Sequence, residues 1–316
     1  MEVLVCTHNR VELLERAISH LNQAIRPDGF AVTVFVVANA CSDDTVEFLS
    51  QYVERGADAT RLPLKWIEEP KPGKSNALNT AIQVLTAPVV AMVDDDHRVD
   101  TDFFVAIHRT LAEFPDADFY CGRILPDWTG DEPPWIHDDG KYKIYPLPVP
   151  QFDLGDMPMP VTSDIAHPGG GNLVIKTRLF SSVGLFSNDY GPVGHNLEGA
   201  EDMHWVIRAY RLGARLQYSP IVKQYHYVDT NRLKIAYVMK KAYTRSCSTV
   251  RLNRNTEEYF LFPRYLIRKG VEYLARSLFN VSTTARRFYL VRLAAVLGEI
   301  KGFILIKRDK ASADDR

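Results

Sequence analysis

The chain has 316 residues, of which 46% are hydrophobic, and a net charge of −1. It therefore has enough apolar residues for a large core, while its overall charge favours no particular partner. Four cysteines lie far apart without a C-x-x-C pair, which argues against a zinc or disulfide framework and is typical of a reduced compartment. Since no window of about 18 uncharged apolar residues exists, we expect no transmembrane helix.

The first hundred residues alternate between apolar strands and amphipathic helices. The four predicted strands comprise residues 2–6, 32–37, 64–67 and 89–93. Strand–helix units of this length predict a doubly wound parallel sheet, which binds ligands at the carboxyl ends of its strands. The first strand begins almost at Met1, so we expect no signal peptide. Neither G-x-G-x-x-G nor G-x-x-x-x-G-K-[ST] is present, so neither a dinucleotide fold nor a P-loop is predicted.

The fourth strand runs directly into three carboxylates, Asp94, Asp95 and Asp96. Its apolar run is typical of a strand buried on both faces, so the carboxylates lie where the chain leaves the sheet. Partly buried anions are costly unless a positive charge joins them. Mg²⁺ or Mn²⁺ prefers hard oxygen ligands and usually also binds substrate phosphates, so these acids predict a metal site. The alternative is a solvated acidic loop in which an aspartate caps a helix.

Three later motifs add candidate site residues. Glycines 169–171 can bring the backbone close to a ligand. Glu201 and Asp202 lie in the first turn of a predicted helix, where acids also simply complement the helix dipole. His226 follows a predicted strand and could serve as a third metal ligand or as a structural, hydrogen-bonded histidine. Residues 126–168 are rich in proline and aromatic residues, as in functional loops, or in loops that pack on their own domain.

The last part of the chain is predicted to be helical and is strongly basic. The predicted helices comprise residues 232–250, 257–279 and 283–307. Residues 221–316 contain 20 Lys or Arg and 8 Asp or Glu, whereas the rest of the chain carries an excess of 13 negative charges. A basic region of this kind suggests an anionic partner, with lipid headgroups the first candidate and nucleic acid the second. Packing against a partner or covering the sheet are the alternatives.

Six short segments occur in an order and spacing that resemble family 2 glycosyltransferases. They comprise residues 5–10 (VCTHNR), 39–43 (NACSD), 73–79 (GKSNALN), 93–96 (VDDD), 170–172 (GGN) and 201–202 (ED) followed by Arg208. The resemblance covers about residues 2–230. It implies a Rossmann-like nucleotide-diphospho-sugar transferase (glycosyltransferase-A type) α/β fold with a mixed, mainly parallel sheet and a C-terminal helical extension. The catalytic domain would be residues 1–229, with a nucleotide-sugar half (1–100) and an acceptor half (101–229), followed by a basic helical region (230–316).

The resemblance also implies roles for the matched residues. Donor nucleotide contacts would come from Thr7, Asn9, Arg10, Asn39, Asp43, Lys74, Asp94 and Asp95. The metal, Mn²⁺ or Mg²⁺, would be held by Asp94 and Asp96, with Asp96 as the main ligand. His226, which lies outside the matched segments, is the possible third ligand noted above. The acceptor or sugar side would be formed by Gly170, Gly171, Asn172, Glu201 and Trp205, and Asp202 would be the catalytic base. The chain departs from the family at Ala38, where an acid is usual.

The implied activity is inverting, metal-dependent transfer of a sugar from a UDP- or GDP-sugar to a saccharide, lipid or other glycoconjugate. The chemistry requires neutralisation of the leaving diphosphate, which a metal supplies, and a positioned carboxylate that removes the acceptor proton. One base opposite the leaving group predicts inversion. The alternatives are a nucleotidyltransferase, which would be expected to have a glycine-rich loop after the first strand, and an inactive sugar- or membrane-binding relative. We expect a cytoplasmic protein, with a peripheral position on the inner membrane face as an alternative, and no nucleic-acid partner.

Overall fold

The computed structural model describes residues 1–147, 149–188, 201–252 and 263–314. The chain divides into two compact units, the first formed by Met1–Asp127 with Pro150–Tyr227 and the second by Trp128–Val149 with Val228–Arg316. The second unit begins close to the boundary predicted at residue 230. It also contains Trp128–Val149, a segment that the family resemblance placed in the acceptor half.

A single mixed sheet organises the described part of the first unit. Strands β1 to β9 comprise Glu2–Thr7, Thr33–Asn39, Leu64–Glu69, Val89–Met92, His97–Val99, Phe119–Asp127, Met159–Val161, Leu173–Lys176 and Leu216–Tyr227. Their order is β3-β2-β1-β4-β8-β6-β9-β5, with β7 also beside β9. The first four strands run parallel, β8 is antiparallel to both of its neighbours, and β6 is parallel to β9. The predicted α/β fold is confirmed.

The helices of the first unit cover both faces of this sheet. Helices α1 to α6 comprise Val11–Gln23, Thr45–Arg55, Lys74–Ile82, Phe103–Glu113, Arg178–Val183 and Glu201–Arg211. Successive strand residues point to opposite faces, so Ala91 and Val93 join one apolar cluster while Val90 and Met92 join the other. Each buried valine or methionine side chain of this run contributes about 1.5–3 kcal/mol. This burial on both faces explains the continuous apolar run before the three aspartates.

The strand register places the polar loops side by side. Strand β1 lies between β2 and β4, so the chain winds away from it in both directions, and a ligand-binding crevice is expected at such a switch point. Leu4 lies opposite Met92, and Thr7 lies opposite Ala38. Continuing the β1–β4 register brings Asp95 level with Thr7. The loops after β1, β2 and β4 therefore meet at one edge.

The second unit is mainly helical. Helices α7 to α9 comprise Ile235–Leu252, Arg264–Phe279 and Thr283–Asp314. Helix α9 approaches α7 closely at a glycine, because a Cβ at Gly302 would lie 2.9 Å from the carbonyl oxygen of Cys247. The segment 128–149 packs here through Ile136 and Val149, which form an apolar cluster with Leu233. The first part of the helix predicted at 257–279 lies outside the described residues. None of the described helices has an apolar stretch long enough to cross a bilayer.

Candidate active site

The buried member of the aspartate triplet is Asp95. Its side chain accepts a hydrogen bond from the Thr7 hydroxyl at 2.8 Å and another from Arg10 Nη1 at 3.1 Å. Arg10 Nη1 also lies 3.2 Å from Asp96 Oδ2. Burial, and then the charge of Asp96, raise the pKa of Asp95 to about 6. Asp95 thus ties the first loop, which carries three predicted nucleotide contacts, to the end of β4.

Three side chains at this edge could hold a metal ion. Among the described residues, one ligand atom each of Asp96, His97 and His226 lie within 4.8 Å of one another. His226 Nε2 is 3.6 Å from Asp96 Oδ2, and His97 Nε2 is 3.9 Å from Asp96 Oδ1. Two ligands that each lie about 2.1 Å from one small ion are separated by roughly 3–4 Å. The two distances from Asp96 to the histidines therefore fit a divalent cation.

The hydrogen bonds of the two imidazoles leave both Nε2 atoms free to bind a metal. His226 Nδ1 lies 2.6 Å from the carbonyl oxygen of Tyr227, which can only accept, so Nδ1 carries the proton. Gln224 donates its amide to Met92 O, so its Oε1 accepts from His97 Nδ1 at 2.8 Å. Orienting partners of this kind are typical of metal-binding histidines. Burial lowers the pKa of His226 although Asp96 opposes it, which favours the neutral ligand form.

The cluster of possible ligands differs from the predicted ligand set in a single residue. Asp94 was expected to bind the metal, but its Oδ1 lies 2.8 Å from Lys74 Nζ, and its Oδ2 is 4.0 Å from His97 Nε2. Burial would raise the pKa of Asp94, but the charge of Lys74 outweighs it and holds that pKa well below its usual range. His97 takes the place beside Asp96. The sequence showed it next to the triplet, but only the pairing of β5 with β9 places His97 opposite His226.

Lys74 connects the aspartate triplet to the predicted base. It begins α3 directly after Gly73, whose φ of 126° few other residues adopt. Its Nζ lies 3.6 Å from Asp202 Oδ2 as well as 2.8 Å from Asp94. Burial would lower the pKa of Lys74, but Asp202 and then Asp94 raise it well above its usual value. Asp94 and Asp202 therefore share one cation and one cleft.

Gly170 and Gly171 allow the side chains of Asp94, His97 and Asp202 to lie directly against the backbone. A Cβ at Gly170 would lie 2.5 Å from Asp202 Cγ, and one at Gly171 would lie 2.7 Å from His97 Cε1 and 2.8 Å from Asp94 Oδ2. Real Cβ atoms do not come so near other atoms, so a side chain at either position would displace the reactive groups. The glycine segment forms the wall between the possible metal ligands and Asp202.

Glu201 and Asp202, at the start of α6, have unusual surroundings. Glu201 is 2% exposed, and burial followed by the charge of Asp202 raises its pKa to about 7. Glu201 Oε2 and Asp202 Oδ1 are buried and have no hydrogen-bond partner among the described residues. An unpartnered buried oxygen costs about 1–3 kcal/mol. Native proteins retain such groups where a ligand or a reaction uses them.

Three predicted nucleotide contacts hold the scaffold together. Asn9, at φ 53°, accepts hydrogen bonds from the backbone of Ser42. Asn39 donates to Lys71 O at 2.7 Å and accepts from Gly73 N at 2.8 Å, which shapes the loop before Lys74. Asp43 caps two helices, because its carboxylate accepts from the backbone N–H groups that begin α1 and α2. The side-chain oxygens of all three residues accept hydrogen bonds within the protein.

Two predicted acceptor-side residues are buried away from the cleft surface. Trp205 is fully buried, donates its indole N–H to Gly184 O at 2.9 Å, and stacks on Phe186. It is a core residue, contrary to the expectation that it lines the acceptor site. Asn172 is 1% exposed, and its Oδ1 accepts from Gln224 at 3.0 Å, so it supports the histidine network from behind.

Sequence and structure comparisons place the chain among known proteins. A family model described as Glycosyl transferase family 2 matches residues 2–170, more than half of the chain. A glucosyl-dolichyl phosphate glucuronosyltransferase of Haloferax volcanii is 22% identical over 177 residues, which make up 56% of this chain and 54% of that protein. The chain thus spans about half the length of this relative.

Two solved structures have the same fold. Residues 1–349 of S. aureus TarS in complex with UDP align with a TM-score of 0.56 and 16% identity, covering 98% of this chain and 91% of that one. The mannosyltransferase PcManGT from Pyrobaculum calidifontis, in complex with GDP-Man and Mn²⁺, aligns with a TM-score of 0.56 and 17% identity, covering 98% and 87%. The predicted glycosyltransferase-A type fold is confirmed.

Proposed function

The chain belongs to glycosyl transferase family 2, and we propose that it transfers a sugar from a nucleotide-diphospho-sugar to an acceptor hydroxyl with inversion at the anomeric carbon. One observation carries the proposal: Lys74 joins the aspartate triplet, which could hold a metal and a diphosphate, to Asp202, which could serve as base. Direct displacement requires these two functions on opposite sides of one sugar.

On the donor side, Asp96, His97 and His226 would hold Mn²⁺ or Mg²⁺. Such an ion supplies positive charge to the departing diphosphate. Arg10, whose side chain is 44% exposed beside Asp95 and Asp96, would contact the phosphates or the nucleotide. Lys74 places a second positive charge at the same edge. Its ammonium group contacts both Asp94 and Asp202.

On the acceptor side, Asp202 would accept the proton of the attacking hydroxyl. The acceptor oxygen forms the new bond to the anomeric carbon as the bond to the diphosphate breaks, and the nucleoside diphosphate departs with that electron pair. The buried, unpartnered Asp202 Oδ1 supports this role because it offers a lone pair that no described residue occupies. Positioned general bases contribute about 10²–10⁴ to rate.

The substrates follow by analogy. The solved neighbours are complexes with UDP and with GDP-Man and Mn²⁺, so we propose a UDP- or GDP-sugar as donor. The curated relative is named for a glucosyl-dolichyl phosphate, which favours a lipid-linked or saccharide acceptor. A lipid-linked acceptor and the basic C-terminal helices together support a cytoplasmic enzyme that works at the inner face of the membrane.

The test is nucleotide release from a panel of UDP- and GDP-sugars, with Mn²⁺ or Mg²⁺ and with chelator. We expect metal-dependent release by the wild type, loss in Asp96→Asn and Asp202→Asn, and no change in Asp28→Asn, an exposed aspartate remote in sequence from the site motifs. Undiminished turnover in both site variants would refute the assignment. Release of pyrophosphate from a nucleoside triphosphate would instead support the nucleotidyltransferase.

A further inference from the structure

The second unit exposes an apolar face on helix α8. Ile267, Val271, Leu274 and Leu278 are 55%, 64%, 47% and 61% exposed. Their spacing of four, three and four residues places them on one side of the helix. The helix packs by its other side, where Leu266 and Ser277 are buried. We call these four residues the α8 face.

The apolar surface continues at the turn that joins α8 to α9. Phe279 is 83% exposed and Val281 is 98% exposed. Scattered apolar side chains are ordinary at a surface, but a contiguous row ending in an exposed phenylalanine marks an interaction site. Within the described residues, nothing covers the α8 face or this turn.

The charges around the α8 face are almost all positive. Residues 264–292 contain seven Lys or Arg and one acid, Glu272. That acid is engaged, because Arg276 pairs with it at 2.9 Å. Arg264 and Arg268 are exposed, lie along one border of the face by helical spacing, and form no ion pair among the described residues. An apolar stripe bordered by cations is the pattern of a helix that lies in a membrane interface.

We propose that the α8 face, with Phe279 and Val281, docks on an anionic lipid bilayer. The apolar side chains would enter the boundary between headgroups and acyl chains while Arg264 and Arg268 contact the phosphates. A second copy of the chain fits less well, because a twofold interface would bring the same uncompensated arginines together. The proposal deepens the membrane location proposed above but is independent of the transfer chemistry.

Vesicle flotation of the full chain tests the proposal. The vesicles contain phosphatidylcholine alone or mixed with phosphatidylglycerol. One variant removes apolar side chains (Val271→Ser, Leu278→Ser and Phe279→Ser) and another removes charge (Arg264→Gln and Arg268→Gln). The matched control replaces Ile25, Val84 and Leu212, which are 51%, 47% and 60% exposed in the first unit, with serine.

We expect the wild type and the control to float with the anionic vesicles and to bind the neutral vesicles only weakly. The apolar variant should bind roughly tenfold less or worse, and the charge variant about fivefold less for each cation removed. High salt should weaken binding of the wild type.

Several results would overturn the proposal. They are no flotation of the wild type, unchanged flotation of the apolar variant, and equal binding to both kinds of vesicle. Concentration-dependent dimerisation that the same variant abolishes, without any flotation, would make the face a contact between copies. Nucleotide release in vesicle-free solution should be the same for both α8 variants and the wild type. It verifies folding and separates failure of docking from failure of the enzymatic proposal.

Discussion

Two groups of polar residues lie at the same edge of the sheet and differ in how far their hydrogen bonds are satisfied. Asn39 and Asp43 are occupied by backbone groups, between 2.7 and 3.2 Å away, that shape loops and cap helices. Among the described residues, Asp202 Oδ1 has no hydrogen-bond partner, and the hydrogen bonds of His97 and His226 use Nδ1 and leave Nε2 available. We call the first group the frame, because its residues support the loops and helix ends. The second group has atoms that can bind a ligand or react. In the sequence, both groups are simply polar residues.

This difference separates stability from activity. Replacing a satisfied residue leaves its former partners without hydrogen bonds and should lower stability. Replacing an unsatisfied residue removes a costly group and should leave stability unchanged or higher, while activity falls. Four predictions test the distinction, starting with the largest expected effect.

The Asp202→Asn variant should lose catalysis without losing the fold. An amide cannot accept the acceptor proton, so we expect transfer to fall by about 10²–10⁴. The melting temperature should stay close to that of the wild type, because Asp94 still pairs with Lys74 at 2.8 Å when the more distant carboxylate, at 3.6 Å, is neutralised. Steady-state kinetics and thermal unfolding of the same preparation measure both. A marked drop in melting temperature would place Asp202 in the frame instead.

Glu201 should make stability depend on pH. Its pKa is about 7 in the folded protein, against the usual 4.5, so the folded state keeps a proton that the unfolded state releases between these values. Stability from this group is therefore fully present below pH 4.5 and is lost as the pH rises through 7. The 2.5-unit difference corresponds to about 3 kcal/mol at most.

The measurement for Glu201 is urea unfolding between pH 4 and pH 8 for the wild type and Glu201→Gln. Carboxylates remote from Glu201 contribute equally to both proteins, so the difference between their curves reports Glu201 together with its interaction with Asp202. We expect the variant to gain stability relative to the wild type as the pH rises. Parallel curves would show that the raised pKa is not a property of this residue.

Gln224 offers an intermediate case, because it belongs to the frame but orients a possible ligand. Gln224→Met keeps the side-chain length and removes the acceptor for His97 Nδ1. Loss of an orienting partner typically lowers metal affinity by about 10–100-fold. Metal titration by calorimetry should show this drop, whereas Gln217→Met, a buried glutamine on the same strand β9, should bind metal normally. Equal affinities would mean that His97 is not a ligand.

Asp43→Ala should show the smallest effect and the opposite pattern from Asp202→Asn. Loss of a helix cap costs about 0.5–2 kcal/mol, and this carboxylate caps two helices. We expect a stability loss of about 2 kcal/mol and transfer activity near that of the wild type at temperatures where the variant is folded. A large loss of activity in fully folded protein would restore the nucleotide contact predicted for Asp43.

The sequence was most informative where side-chain chemistry and periodicity agreed. The apolar run before Asp94 identified a strand buried on both faces, and the order of strands and helices identified the sheet edge at which the loops after β1, β2 and β4 meet. These inferences needed only local patterns, because parallel strands with intervening helices bring their carboxyl ends together. Asp202 was assigned to the same cleft by the family resemblance, and Lys74 contacts it together with Asp94.

The sequence was least informative where function depends on pairing between distant segments. His97 faces His226 only because β5 runs antiparallel to β9, a register that neither segment encodes alone. A tryptophan such as Trp205 can stack on a sugar, yet this side chain is buried in the core. One aromatic residue in a helix does not reveal whether its side chain points to the cleft or to the core. From the sequence alone, Asn39 could contact a nucleotide or support a loop. Its supporting role becomes visible only in the hydrogen bond that it accepts from Gly73, 34 residues away.

The central claim is that metal binding and proton acceptance depend on different residues of the cleft, so that one can be abolished without the other. Mn²⁺ binding in the presence of UDP or GDP, followed by electron paramagnetic resonance, tests it in the wild type, Asp96→Asn and Asp202→Asn. We predict equal Mn²⁺ affinity for the wild type and Asp202→Asn, and at least a roughly tenfold loss for Asp96→Asn. Wild-type affinity in Asp96→Asn would contradict the account.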